Sequence, residues 1–221
     1  MRVLFSQKLI IISKPRCGST SLRRMLDQML DPSQGDFAVD VAGQNPPYHP
    51  HLSAPYLKQL LRADGHDVTI MTTIIVTRHP VQMLWSYYKF FQPDARSSYN
   101  YSPECDASTR IGFQDWVLTG SVGMEAGVMA LAPTWVTECD LSPLSLEAHA
   151  DSLAGTREVD GVFRIEAPLD LTNWLHQRTG RAFQMAHENN STDREKMPLL
   201  NGTALQKIRA MFPEESGLYR I

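Results

Sequence analysis

VLFSQKLIIISKPRCGSTSLRRMLDQML, residues 3–30, runs from a β-prone apolar stretch through a short loop of Gly, Ser and Thr into an amphipathic segment. Residues 3–13 read as a strand, and Leu22, Met25, Leu26, Met29 and Leu30 recur at helical spacing. The order is therefore strand, loop, helix, with the loop at residues 14–21.

A second unit of the same kind follows. VTIMTTIIVT, residues 68–77, is almost wholly apolar or β-branched, the pattern of a strand covered on both faces. After Arg78-His79-Pro80, residues 81–91 are apolar and aromatic and predict a largely buried helix. Two such units in series predict an α/β fold, a P-loop-like parallel β-sheet flanked by helices with right-handed crossovers.

The remaining segments fit around that frame. Residues 31–50 read as loop and 53–62 as a helix with Pro55 in its first turn, while 93–110 read as a polar loop that is mobile or faces the substrate. A short helix is expected at 113–119, a strand at 159–165, a helix at 169–179 ending on Gly180, and a last helix at 203–211. Residues 120–132 carry no assignable pattern. The whole chain, 1–221, is read as one domain.

Composition narrows the partners. The chain has 221 residues, 43% of them hydrophobic, enough for one sizeable core, and a net charge of −3. A chain that held nucleic acid or an anionic membrane by bulk charge would carry a basic surplus, so any anion site must be local. The apolar run at residues 9–12 is too short to span a bilayer and no export signal follows it, which predicts a cytoplasmic protein without an anchor. Its oligomeric state stays open. Cys17, Cys105 and Cys139 lack the spacing of a zinc or redox motif, and pairing of Cys105 with Cys139 is left open.

The loop carries the chemistry. Between a strand and a helix, backbone N–H groups and the helix dipole converge on a bound anion. Gly18 would let the backbone approach it, Ser19, Thr20 and Ser21 would add hydroxyl donors, and Lys14 would add charge. The lysine stands at the start of the loop and no Gly-Lys-Ser/Thr closes it, so this is not a Walker loop. Arg78 at the end of the second strand and Ser86 on the following helix could share a second anion. Each element also has an ordinary reading, the loop as a Ser-capped helix entry with a solvated lysine, and the second as an arginine paired with a surface carboxylate and a serine that caps a helix or faces solvent.

Lys14-Pro15-x-x-Gly18-Ser19-Thr20-Ser21-Leu22 resembles the 5′-phosphosulfate loop of the sulfotransferases that use 3′-phosphoadenylyl sulfate. Arg78-x-Pro80 with Ser86 and Tyr87 is similar to the 3′-phosphate motif of that family. The resemblance implies a sulfotransferase domain in which Lys14, Arg16, Cys17, Gly18, Ser19, Thr20, Ser21, Arg78 and Ser86 hold the donor. The product would be adenosine 3′,5′-bisphosphate, with no metal required. Tyr48-His49-Pro50-His51 is similar to the histidine pair of the heparan and uronyl 2-O-sulfotransferase branch, which makes His51, or else His49, the base that takes the acceptor hydroxyl's proton. The same histidines could equally be exposed loop residues.

Later landmarks, Phe163-Arg164-Ile165-Glu166, His187-Glu188-Asn189-Asn190-Ser191 and Phe212 with Leu218-Tyr219, resemble the family too, and imply that Asn189 and Ser191 line the nucleotide. Arg16 and Cys17 depart from the smaller or hydroxyl residues that relatives carry in the loop. The acceptor would be a small hydroxylated molecule or a glycan. Two other readings compete: a P-loop kinase or nucleotide hydrolase, which would need a magnesium ligand, and a nucleotide-binding module without activity.

Overall fold

The computed structural model describes residues 1–40, 45–90, 112–119, 140–185 and 196–221. These fall into two compact units, one of residues 1–78 with 146–193 and the other of residues 79–145 with 194–221, of which the described parts are taken in turn. Among the described residues no helix is long and apolar enough to cross a membrane.

The first unit is an α/β sheet structure. Its strands are β1 (Arg2–Leu4), β2 (Leu9–Ser13), β3 (Phe37–Ala38), β4 (Thr72–Thr77) and β5 (Gly161–Arg164), in the order β3-β1-β2-β4-β5. Its helices are α1 (Ser19–Asp27), α2 (Ala54–Ala63), α5 (Leu146–Ala150) and α6 (Pro168–Thr179). The second unit holds α3 (Pro80–Phe90), α4 (Phe113–Thr119), α7 (Gly202–Met211) and α8 (Pro213–Tyr219).

The sheet is mixed, which corrects the all-parallel expectation. β2, β4 and β5 are parallel, but β1 runs antiparallel to both β2 and β3. Residues 3–13 are thus two strands rather than one: the chain reverses through a 3-10 turn at Phe5–Gln7 and through Lys8, which sits in the left-handed region at φ 50°. Asp36 holds that reversal, accepting the Ser6 N–H at 2.9 Å and the Ser6 hydroxyl at 2.6 Å. A second correction lies at residues 68–77, where Val68–Ile70 form a 3-10 turn and only Thr72–Thr77 pair as strand. Asp67 accepts the Thr69 N–H at 3.0 Å and offers the backbone a local alternative to the ladder. The loop expected at 31–50 contains β3, and α5 and α8 were not anticipated.

Strand alternation sends side chains to two apolar layers. Ile10, Ile12 and Ile75 pack with Leu57 and Leu61 of α2 and Leu146 and Ala150 of α5. Leu9, Ile11, Ile74 and Val76 pack with Leu22, Met25 and Leu26 of α1 and Leu171 and Leu175 of α6. With both faces covered, the central strands have no polar face, which is why they read as continuous apolar runs. Each fully buried Ile or Leu contributes on the order of 1.5–3 kcal/mol of transfer free energy. The layers therefore fix where the strand ends fall.

In the second unit an aromatic cluster joins α3 to α4: Tyr88 lies 5.4 Å from Phe113 and 5.8 Å from Trp116, ring centre to ring centre. α7 is capped by Asn201, whose side chain accepts the Ala204 N–H at 2.9 Å, and Lys207 donates to the Leu118 carbonyl of α4 at 2.9 Å. Its described elements are helical, and Trp116 and Phe212 are fully buried.

Candidate active site

Parallel pairing brings three strand ends to one edge of the sheet. Ser13 pairs with Val76, and Thr77 with Arg164, so the residues that follow, Lys14, Arg78 and Ile165, leave the sheet side by side. In open α/β sheets this carboxyl edge is where ligands bind. Here two cationic residues, Lys14 and Arg78, follow strand ends, and α1 begins five residues after Lys14.

The loop after β2 is shaped by two left-handed residues, Arg16 at φ 58° and Gly18 at φ 69°. For arginine that conformation costs about 1–2 kcal/mol relative to the right-handed region, so it persists because neighbours hold it. The Cys17 N–H turns back to the Lys14 carbonyl at 3.4 Å. Arg78 reaches across from the end of β4 and donates Nη1 to the Arg16 carbonyl at 3.2 Å. Lys14 and Cys17 are buried at the base of the loop.

Gly18 is the residue before α1, and no side chain caps the helix there; its first turn holds no acidic residue. The first N–H groups of a helix have no partner within it, and here neither a capping side chain nor a carboxylate of the first turn competes with an incoming anion. The reason for glycine differs from the one expected. A Cβ at Gly18 would stand 2.7 Å from both Cγ1 and Cδ1 of Ile165, so the missing side chain makes room for the end of β5 rather than for a ligand.

The histidines are distinguished by their hydrogen bonds. His51 Nδ1 lies 2.7 Å from the Ser13 carbonyl oxygen. A carbonyl only accepts, so Nδ1 carries the proton and the lone pair is on Nε2. His49 has the opposite arrangement: its Nδ1 accepts the His51 N–H at 3.3 Å, which puts the proton of the neutral ring on Nε2. The two rings are 6.0 Å apart. Burial lowers the His51 pKa to about 4, against a favourable pull from the Ser13 carbonyl, and lowers that of the more exposed His49 in the same direction. Tyr48, beside them, is buried and donates its hydroxyl to Asp64.

Of the other residues singled out from sequence, Thr20 and Ser21 lie in the first turn of α1 and are partly buried. Ser86 lies on α3, in the second unit. Asn189, Ser191, Cys105, Cys139 and the loop at 93–110 lie outside the described residues, as does the side chain of Ser19. Two groups went unnoticed in the sequence, the backbone carbonyls of Ser13 and Arg16, which anchor His51 and Arg78. Among the described residues no cluster of three or more His, Cys, Asp or Glu is placed to hold a metal ion.

No protein-family model matches the chain, and no curated protein matches it. The chemistry of the site therefore stands on its own residues. Lys14, Arg78 and the start of α1 are gathered at this edge of the sheet, and His51 is tied to Ser13, the residue before Lys14.

Proposed function

We propose that the chain is a sulfotransferase that moves a sulfuryl group from 3′-phosphoadenylyl sulfate to an acceptor hydroxyl. The observation that carries the reading is the bond from Arg78 Nη1 to the Arg16 carbonyl, which joins two segments 62 residues apart at one edge of the sheet. A donor with a phosphosulfate at one end and a 3′-phosphate at the other needs two such segments close together. The loop from Lys14 to the start of α1 takes the phosphosulfate, and Arg78 takes the 3′-phosphate.

The reaction is an in-line transfer. His51 Nε2 removes the acceptor hydroxyl's proton, the acceptor oxygen bonds to sulfur, and the bond from sulfur to the bridging phosphate oxygen breaks. Lys14 and the first N–H groups of α1 stabilise the charge that develops on the departing phosphate. The products are a sulfate ester and adenosine 3′,5′-bisphosphate. His51 suits the base role better than His49, because its Nδ1 proton is held by Ser13 and its Nε2 lone pair is available.

The test compares thermal stabilisation by adenosine 3′,5′-bisphosphate and by ADP. A ligand at one hundred times its Kd stabilises the folded state by about 2.7 kcal/mol. The expected result is a larger rise in Tm with the bisphosphate at equal concentration. A larger rise with ADP, or none with either, counts against the reading.

A further inference from the structure

The Arg78 guanidinium has one described bond, and it goes to a backbone carbonyl of the anion loop. A ligand for a 3′-phosphate has no need of that contact. The residue that receives it is Arg16, a non-glycine residue held at φ 58°. Arg16 lies between the buried Lys14 and the Gly18 helix entry, so its conformation decides the direction in which the loop meets α1. Ile165 fills the space over Gly18 at the end of the loop.

From this geometry we infer that Arg78 is a positioning residue for the phosphosulfate loop as well as a phosphate ligand. One arm of the planar guanidinium fixes the Arg16 turn, and its remaining donors are left for the nucleotide. The two ends of the donor are then read by one residue: the 3′-phosphate directly and the 5′ group through the loop. The role in nucleotide binding rests on the sulfotransferase reading, but the bracing of the loop does not depend on it.

The experiment uses the full chain with Arg78→Met, which keeps an apolar stem and removes the donors, and Arg78→Lys, which keeps one cationic donor. Two measurements are made on each: amide hydrogen exchange over residues 14–22 without ligand, and calorimetric affinity for adenosine 3′,5′-bisphosphate and for AMP, which lacks the 3′-phosphate. In Arg78→Met, exchange in the loop should quicken about tenfold and AMP affinity should fall by about the same factor, with a larger loss for the bisphosphate. Arg78→Lys should restore the slow exchange, and it decides the matter if Arg78→Met does not fold. Unchanged loop exchange together with unchanged AMP affinity would overturn the inference and leave Arg78 a phosphate ligand only. Quickened exchange in a protein whose wild type binds neither nucleotide would uphold the brace and defeat the sulfotransferase reading.

Discussion

Arg2 and Arg78 both lie at strand ends of the same sheet, and the structure answers their charges in different ways. Arg2, 1% exposed, is held by carboxylates: Nε donates to Asp27 at 2.8 Å and Nη1 to Asp40 at 2.6 Å, and Arg23 stands 3.2 Å from the same Asp40. Burial would raise the Asp40 carboxyl, but the hydrogen bond and charge of Arg2, with Arg23 behind, bring it below the usual carboxylate range. Arg78 meets a carbonyl, which carries no formal charge, and among the described residues it has no carboxylate partner. A paired cation ties secondary structure together and has little left to offer an anion, whereas a cation held by a carbonyl keeps its full charge. The first group is a structural clasp between β1, α1 and the segment after β3, and the second is the edge where the proposed site lies.

Breaking each group should therefore fail differently. The largest effect is expected at Lys14, the buried lysine that leads into the loop. On the proposed mechanism, Lys14→Met should lower sulfuryl transfer by about a thousandfold or more, since it removes the charge assigned to the leaving group. The urea midpoint should stay near that of the wild type. Turnover within tenfold of the wild type would remove Lys14 from the chemistry. A chain that no longer unfolds cooperatively would move it to the structural class with Arg2.

The next effect is on stability rather than on chemistry. Asp27→Ala with Asp40→Ala leaves Arg2 buried without a carboxylate, a situation that costs roughly 3–5 kcal/mol. Urea denaturation should show a lower midpoint, while transfer per folded molecule falls only a few fold. If the midpoint is unchanged, the clasp contributes nothing, and the contrast with Arg78 loses its first half.

What could be seen in the sequence follows the same division between side chains and backbone. The parallel pair β2 and β4 was legible because Ile10, Ile11 and Ile12, and Ile74, Ile75 and Val76, are apolar on both faces. The β1–β2 reversal was not, because Ser6, Gln7 and Lys8 interrupt the run only briefly and the residue that secures them, Asp36, lies 30 positions away. Lys14 and Arg78 could be picked out from residue type and their places after the two strands, and the histidine pair from its resemblance to a family motif. The sequence reading already preferred His51 to His49, but the physical difference between the two rings needed the Ser13 and His51 backbone groups, and the packing over Gly18 needed Ile165; neither contact is written in a local pattern.

The smallest effect is a pH dependence, and it separates the two histidines of the proposed site. His51 in the folded chain has its pKa lowered to about 4 by burial, from a reference of 6.5. Above pH 6.5 the ring is neutral in both folded and unfolded chains, so it adds no pH dependence there. As pH falls from 6.5 toward 4 the unfolded chain takes up a proton that the folded chain refuses, and stability declines by roughly 3 kcal/mol, levelling off below about 4. The acid limb of kcat should accordingly lie well below 6.5, because the base remains neutral through that window. His51→Gln should remove this part of the stability loss and abolish the low acid limb. His49→Gln should leave the limb where it is, since the His49 ring offers its Nδ1 to the backbone and not to a substrate. An acid limb near 6.5 that shifts with His49→Gln would exchange the roles of the two rings, and would mean that the Ser13 carbonyl holds the histidine that does not react.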